Sequence, residues 1–132
     1  MSNIVVSPHS LSTLAGIEIL RNGGNAIDSA IATNIVQGVV APETCGIGGD
    51  LFALIWINGE NKPYCLDSSG YAGSNVDLSS LSSYTNIPLD HPMSVTVPGA
   101  VRGWYAMHER FGRLEIKDLF SQAIEILSLI HI

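Results

Sequence analysis

A seven-residue apolar run, Leu51–Ile57, constrains the fold of this chain more than any other feature of its sequence. It follows a loop rich in proline and glycine and is followed by Asn58-Gly59, so it predicts a β-strand that ends in a tight turn. Alternate residues of a strand point to opposite faces, and here both faces are apolar. One face carries Phe52, Leu54 and Trp56, and the other carries Ala53, Ile55 and Ile57. Such a strand has to be covered on both faces, which predicts a layered fold.

The low charge of the chain points in the same direction. Only 14% of the 132 residues are charged and 46% are hydrophobic, whereas charged residues make up about 25% of an ordinary soluble domain. A domain of this size buries roughly two-thirds of its unfolded surface, so it can form a core but needs charge to coat the remainder. We therefore expect part of the surface to be covered by another body, or the chain to be one piece of a larger one.

The charge balance and the apolar stretches exclude several classes of function. Six Lys and Arg against twelve Asp and Glu give a net charge of −6. No basic run is present to neutralise phosphates, so we expect neither a nucleic-acid partner nor a membrane partner. The longest apolar stretches are far shorter than the roughly 20 residues of a membrane span. The start, Met1-Ser2-Asn3, does not resemble a signal peptide, and we accordingly expect a cytoplasmic protein.

No motif for a metal, a cofactor or a catalytic nucleophile is visible. Cys45 and Cys65 form no Cys-x-x-Cys pair, so they are either one disulfide or, as we expect, two free and partly buried thiols. The four histidines have no metal-ligand spacing, and His108 is expected to be a hydrogen-bonded core residue. Gly-x-Ser-x-Gly, Ser-x-x-Lys and His-Glu-x-x-His are absent, and Cys45 has no identifiable catalytic partner. We therefore assign no catalytic residue, no metal ligand and no cofactor.

Two helices are predicted before the central strand. Leu11–Arg21 has apolar residues at helical spacing, and Ser10 or Ser12 is expected to cap its start. Gly23-Gly24 supplies the positive-φ residues that end a helix, and Asn25 is the expected N-cap of the next one. Because the link between the two helices is so short, they are predicted to form a tight helical hairpin.

The elements after the strand are mixed. Pro63–Asp67 is expected to return as the second strand of a β-hairpin, and Leu78–Tyr84 to form a short helix. Pro98-Gly99 opens a further helix, and a last helix is predicted from Ile116 to Ile130 by its 3, 4, 3 apolar spacing. One face of the helix after Pro98-Gly99 carries Val101, Trp104, Tyr105, His108 and Phe111. Helices on either side of a strand that is buried on both faces predict a layered α/β or α+β body.

The glycine loop Gly46–Asp50 admits two interpretations. Glycine loops bind phosphate when they follow a strand and open a helix, whereas this loop follows a helix and opens a strand. We therefore favour a structural helix-to-strand crossover and keep a nucleotide-binding module as an alternative. Among the carboxylates, Asp28 is interpreted as part of a helix cap, and Glu43, Asp50 and Asp67 as residues at loop edges that form no catalytic pair.

Five segments in a fixed order resemble the N-terminal, large-subunit portion of the γ-glutamyltranspeptidase family. The resemblance runs from about Val5 to Ile126. The five segments are Pro8–Gly16, Gly23–Asp28, Pro42–Gly49, Ser94–Trp104 and Phe111–Leu114. It implies an α+β fold, an Ntn-hydrolase-like αββα sandwich of which this chain supplies only the N-terminal helices and strands. Residues 1–126 would form the N-terminal part of that domain, and residues 127–132 a divergent, truncated tail.

The resemblance also implies a chemistry. Family members cut themselves to expose an N-terminal threonine, whose amine activates its hydroxyl for attack on γ-glutamyl amides such as glutathione. The acyl group then passes to water or to an amino acid. No residue of this chain stands where that threonine would be. We therefore expect the chain alone to be inert, with a small acyl amide as substrate and the C-terminal subunit, or a second copy, as partner.

The substrate-binding strand end departs from the family pattern. Where family members read Asp-Gly-Arg-Glu, this chain reads Asp67-Ser68-Ser69-Gly70. In the family the arginine binds the α-carboxylate of the substrate through its guanidinium. The resemblance thus makes Ser69, Asp67 and Ser68 the candidate substrate-binding residues, with a weakened preference for glutamyl groups. The alternatives are a cephalosporin-acylase-like amidase and a non-catalytic scaffold or binding protein derived from this fold.

Overall fold

The computed structural model describes residues 3–130, apart from the side chains of residues 78, 80, 129 and 130. Met1 and Ser2 at the start, and His131 and Ile132 in the predicted tail, lie outside this description. The chain divides into two compact units, the first made of residues up to Gly46 and from Arg102 onwards, and the second of Ile47–Val101. The helices are α1 (Ser10–Arg21), α2 (Ala26–Val40), α3 (Ala100–Phe111), α4 (Ile116–Leu119) and α5 (Ser121–Ile130), and the strands are β1 (Leu51–Ile55) and β2 (Tyr64–Ser68).

The predicted helical hairpin is confirmed in the first unit. Gly23 has a φ of 92°, and the Gly24 N–H donates to the Ile19 carbonyl, so the glycines end α1 as expected. Asn25 caps α2 by accepting the Ile27 and Asp28 N–H groups. The cap of α1 differs from the prediction, because it is His9 Nδ1, not a serine, that accepts the Leu11 N–H.

Small residues let α1 and α2 pack closely. A Cβ at Gly16 would overlap the Thr33 hydroxyl and lie 2.8 Å from Val5 Cγ1 and 2.9 Å from Ser29 Oγ, so a larger residue would force these side chains to shift. The Ser29 hydroxyl donates to the Gly16 carbonyl across the same contact. Ile31 and Val36 are fully buried, and each contributes about 1.5–3 kcal/mol when removed from water. The hairpin therefore forms the core of the first unit.

The last helix differs from its prediction, since the chain breaks it into α4 and α5 at Phe120. The Phe120 N–H bonds the Lys117 carbonyl, three residues back, which tightens the turn. Its ring meets the Trp104 ring edge-on, with centroids 6.0 Å apart. The break therefore coincides with a packing contact between Phe120 and α3. The buried face of α3 is also shifted, because Trp104 and Met107 are buried whereas Val101 and Tyr105 are exposed.

The second unit contains the β-hairpin. β1 and β2 pair antiparallel, with Leu51 opposite Ser68 at one end and Ile55 opposite Tyr64 at the other. The expected cover on both faces of β1 is not found in the described chain, because one face remains open. Ile55 is buried, whereas Phe52, Leu54 and Trp56 are 68%, 73% and 62% exposed. Mixed helices and a small antiparallel sheet confirm the expected α+β class.

The long segment between the hairpin and α3 is mostly irregular. The helix predicted at Leu78–Tyr84 is a single 3₁₀ turn, Leu78–Leu81, capped by the Asp77 carboxylate. A second 3₁₀ turn, Pro92–Ser94, precedes an extended stretch that leads into α3. This stretch returns to the open end of the β-hairpin, where it meets the candidate site.

Candidate functional site

The candidate site lies at the end of the β-hairpin where β1 begins and β2 ends. Leu51 pairs with Ser68, so the residues that flank this pair, Asp50 and Ser69, follow directly beyond the ladder. Residues 96–100 come to the same place, because Gly49 O accepts the N–H groups of both Gly99 and Ala100 at 3.0 and 2.9 Å. Three segments of the second unit, residues 49–50, 68–71 and 96–100, are thereby joined.

The Asp67–Ser69 turn is closed by its own side chains. Asp67 Oδ1 accepts the Ser69 N–H at 3.0 Å and the Ser69 hydroxyl at 2.6 Å. The Ser69 hydroxyl, followed by the Ser69 N–H, holds the pKa of the Asp67 carboxyl below its ordinary value near 3.8. Asp67 and Ser69 are exposed, and Ser68 is half-buried with its hydroxyl donating to the Gly99 carbonyl at 2.7 Å. The structure therefore brings the three sequence-predicted residues together in one accessible turn.

Asp50 belongs to this site, although the sequence placed it only at a loop edge. Its Oδ1 accepts the Gly70 N–H at 2.9 Å and the Thr96 hydroxyl at 3.3 Å. The Val97 N–H in turn donates to the Tyr71 carbonyl at 2.9 Å. Asp50 is 20 positions from Gly70 and 46 from Thr96, and no local sequence pattern links residues at such separations.

Two glycines bring these backbones into contact. A Cβ at Gly70 would overlap the Val97 carbonyl oxygen, and a Cβ at Gly99 would overlap the Ser68 carbonyl oxygen. The backbone conformation therefore has no room for the glutamate that the family pattern puts at position 70. The shape of this turn thus accounts for the missing glutamate at Gly70, whereas Ser69 is exposed and its difference from the family arginine has no steric cause in this structure.

The charges at this end of the hairpin are negative. Asp50 and Asp67 both lie there, whereas Lys62 is the one lysine or arginine between residues 47 and 101. Lys62 follows β1 in the turn at the opposite end, beyond the Ile55–Tyr64 pair, and five strand residues span about 16 Å. The second unit thus offers the turn hydrogen-bonding groups and carboxylates but no guanidinium.

The other sequence candidates are not gathered into a site. Both cysteines are free, as expected, although Cys65 is exposed and only Cys45 is half-buried. His108 Nε2 bonds the Leu114 carbonyl at 2.7 Å, which agrees with its expected structural role. Residues 3–130 contain no cluster of three or more His, Cys, Asp or Glu with metal-binding geometry. Within the same range no helix is long and apolar enough to cross a membrane.

Asp28 is a structural carboxylate of the first unit. It forms the expected capping box, accepting the Asn25 N–H at 2.9 Å. It also accepts the N–H groups of Arg113, at 3.1 and 3.2 Å, and Leu114, at 3.3 Å. The Asn25 side chain donates to the Phe111 carbonyl beside it. Asp28 is fully buried, so its role is to hold the segment after α3 against the start of α2.

Comparison with known protein families gives one match over most of the chain. The model of the family described as Gamma-glutamyltranspeptidase matches residues 12–128. All three segments of the candidate site fall within this match.

The names of similar proteins refer to different substrates. The chain is 38% identical over 121 residues to the glutathione hydrolase-like YwrD proenzyme of Bacillus subtilis, covering 91% of the chain and 23% of the relative. It is 39% identical over 102 residues to the oxamate amidohydrolase proenzyme of Klebsiella pneumoniae, covering 76% and 19%. The structure of cephalosporin acylase from Bacillus halodurans matches with a TM-score of 0.81 and 32% identity, covering 95% of this chain and 25% of that one. The chain thus spans about a fifth of the length of these curated relatives.

Proposed function

The chain belongs to the γ-glutamyltranspeptidase family, and from this premise we propose that it supplies the acyl-binding turn of an amidohydrolase. The observation that supports the proposal is the Asp67–Ser69 turn, which is accessible and closed by its own hydrogen bonds, at the position that the family resemblance assigns to substrate binding. Its fold, the N-terminal part of an Ntn-hydrolase, is shared with the solved acylase over 95% of the chain.

The chemical step belongs to the rest of the enzyme. A threonine hydroxyl attacks the carbonyl of the acyl amide, its proton passes through the threonine's own α-amine to the departing amine, and water then releases the acyl group. None of the 132 residues is assigned to this step. The role of this chain is to hold the acyl group in place, which lowers the barrier by orientation alone.

The acyl group is proposed to be one other than γ-glutamyl. A γ-glutamyl group carries an α-carboxylate, and Ser69 has no guanidinium to pair with it. Asp50 and Asp67 would repel that carboxylate at close range. The three named relatives, with glutathione, oxamate and cephalosporin in their names, support the idea that membership of the family does not by itself specify the acyl group.

The open face of β1 is the proposed contact with the rest of the enzyme. Phe52, Leu54 and Trp56 form a row of exposed apolar side chains on one side of the sheet. Exposed rows of this kind mark interaction surfaces. The relatives are about four to five times as long as their matched parts, which leaves ample chain for a covering layer. A second copy of this chain is the alternative occupant.

A first experiment addresses the chain by itself. The purified 132-residue protein is incubated with a chromogenic γ-glutamyl anilide and with an uncharged butyryl anilide. We expect no product from either substrate, because the nucleophile is supplied elsewhere. Product release that persists after repurification would contradict the proposal.

A chimera tests the acyl-binding role. Residues 5–126 of this chain replace the matched segment of the Bacillus subtilis relative, and self-cleavage on a gel reports folding. We expect hydrolysis of the butyryl anilide or of oxamate at a higher kcat/KM than that of the γ-glutamyl anilide. The unaltered relative, assayed beside it, shows what the exchanged segment changes. A self-cleaved chimera that prefers the γ-glutamyl anilide would refute the proposed acyl preference.

A further inference from the structure

We propose that Asp50 is the positioning residue of the acyl-binding turn, an inference that rests on the function proposed above for Asp67–Ser69. Asp50 is exposed and lies outside the turn itself, at the start of β1. Its carboxylate bonds both the residue that follows the turn, Gly70, and the neighbouring segment at Thr96.

The two hydrogen bonds of Asp50 reach opposite sides. Oδ1 accepts the Gly70 N–H at 2.9 Å, a distance typical of a charge-assisted bond. The same oxygen accepts the Thr96 hydroxyl at 3.3 Å, which is a longer and weaker contact. Because one carboxylate oxygen accepts both hydrogen bonds, a shift of residue 96 or of residue 70 changes the geometry of the bond to the other residue.

The bond to Gly70 fixes the direction of the preceding peptide. The Gly70 N–H and the Ser69 carbonyl belong to one planar peptide unit, which is trans in the described chain. When Asp50 holds that N–H, the Ser69 carbonyl points the opposite way, and the backbone that carries the Ser69 hydroxyl cannot rotate freely. Asp50 thereby sets the direction of the Ser69 carbonyl, while Asp67 holds the Ser69 hydroxyl.

Glycine at position 70 makes this control necessary. Gly70 has no Cβ to restrict its dihedral angles, and glycine has more backbone freedom than any other type of residue. A Cβ there is excluded by the Val97 carbonyl oxygen, so the backbone cannot be stiffened from within. Two outside contacts restrict this stretch: the Val97 N–H bonds the Tyr71 carbonyl, and the Asp50 carboxylate holds the Gly70 N–H itself.

The first test measures the geometry in the 132-residue chain. Asp50→Ala removes the acceptor, and we expect the amide hydrogen of Gly70 to exchange with solvent about tenfold faster by NMR. Asp77→Ala is the matched control, because it removes an equivalent carboxylate from another turn of the same unit. Asp50→Asn keeps an acceptor oxygen and is expected to restore most of the protection. A Gly70 exchange rate within twofold of wild type in Asp50→Ala would overturn the proposal.

If Asp50→Ala does not fold, the Asp50→Asn variant still tests whether Asp50 positions the Gly70 N–H. A neutral oxygen accepts a weaker bond than a carboxylate, so Gly70 exchange in Asp50→Asn should rise about threefold while Ser79 exchange stays constant. An unchanged Gly70 rate in that variant, with Asp50→Ala unfolded, would mean that Asp50 acts on stability alone and would overturn its role in positioning.

The second test measures recognition in the self-cleaved chimera. Asp50→Ala should raise KM for its best substrate about tenfold and change kcat by less than about threefold. A merely structural defect would lower the active fraction, and therefore kcat, and leave KM unaltered. An unchanged KM would overturn the inference. A wild-type chimera with no activity would count against the proposed function, and the Gly70 exchange rate would then decide the role of Asp50 independently.

Discussion

Two carboxylates tie distant backbone segments together, one in each compact unit, and they do so in opposite surroundings. Asp28 in the first unit is fully buried and accepts N–H groups from Asn25, Arg113 and Leu114. Asp50 in the second unit is exposed and accepts one N–H and one hydroxyl. Both carboxylates accept hydrogen bonds from distant residues, but Asp28 is shielded from solvent and Asp50 is open to it.

This difference in burial means that the Asp28 contacts stabilise the fold, whereas the Asp50 contacts mainly fix a local backbone direction. The Asp28 carboxylate is fully buried and accepts three N–H groups that are only partly open to water, so this network is costly to break. An exposed donor can bond to water instead, so the Asp50 contacts contribute little to the free energy of unfolding. What the Asp50 contacts determine is the direction of a peptide beside an accessible turn. The first unit is therefore held by a buried network, and the second carries the accessible turn proposed to bind the acyl group.

The largest expected effect follows from breaking the buried network. Asp28→Ala leaves the Arg113 and Leu114 N–H groups without an acceptor, and should lower the free energy of unfolding by about 3 kcal/mol. Urea unfolding followed by Trp104 fluorescence, with Trp56→Phe in every variant to remove the other tryptophan, reports this unit. Asp118→Ala, which removes an exposed carboxylate from α4, is the matched control and should stay within about 0.5 kcal/mol. A loss below about 1 kcal/mol in Asp28→Ala would remove the contrast between the two units.

A smaller loss of stability is expected when a methyl group is added at Gly70 in the second unit. Gly70→Ala forces the turn away from the Val97 carbonyl oxygen, and overpacking of this kind costs about 1–3 kcal/mol. Gly73→Ala adds the same methyl group 3.9 Å from Val76 Cγ2, where it makes an ordinary contact. Hydrogen exchange of the β2 amides should rise in the first variant and stay constant in the second. Equal exchange in both would show that the close approach at Gly70 is unimportant.

How much of this could be read from the sequence depends on the distance between the partners. The Asn25–Asp28 cap was predicted because its partners are three residues apart and follow a known spacing. The contacts of Asp28 with residues 113–114, and of Asp50 with Gly70 and Thr96, join positions from 20 to 86 apart. Only the folded chain brings such partners together.

Apolar spacing also predicted the helices and strands only in part. The break of the last helix at Phe120 was not predicted, because the apolar spacing continues through it; in the structure the Phe120 ring packs on Trp104, which is 16 residues away along the chain. The strand at residues 51–57 was predicted two residues too long, and its apolar face at Phe52, Leu54 and Trp56 is open. The candidate residues Asp67, Ser68 and Ser69 came from the family resemblance and not from any pattern within the chain.

A third experiment sharpens the comparison by removing the exposed carboxylate. Asp50→Ala should lower the free energy of unfolding by less than about 1 kcal/mol, roughly a third of the effect of Asp28→Ala, because water replaces the lost acceptor. The two variants are compared by urea unfolding under identical conditions. A loss equal to that of Asp28→Ala would show that exposure does not distinguish the two carboxylates.

The smallest effect is expected from pH. Since the folded pKa of Asp67 lies below its ordinary value near 3.8, the ionised carboxylate stabilises the turn above that pH and its contribution is lost as the pH falls through the folded pKa. Ser69→Ala should move the pKa of Asp67 up towards its ordinary value in an NMR titration. Asp77, whose pKa is lowered in the same way by Ser79, serves as the internal reference and should not move. A pKa of Asp67 that does not change in Ser69→Ala would place the cause of its shift elsewhere.

The most direct measurement of the central claim, that this turn selects an acyl group other than γ-glutamyl, is a specificity ratio in the self-cleaved chimera. The kcat/KM for the γ-glutamyl anilide is divided by that for the butyryl anilide, in the wild type and in Ser69→Arg. Ser69 is exposed, so a guanidinium can be added there without displacing the core. We predict a ratio below one in the wild type and a rise of about tenfold or more in Ser69→Arg, since the new side chain can pair with the α-carboxylate. A wild-type ratio above one, or a ratio that Ser69→Arg leaves unchanged, would contradict the account.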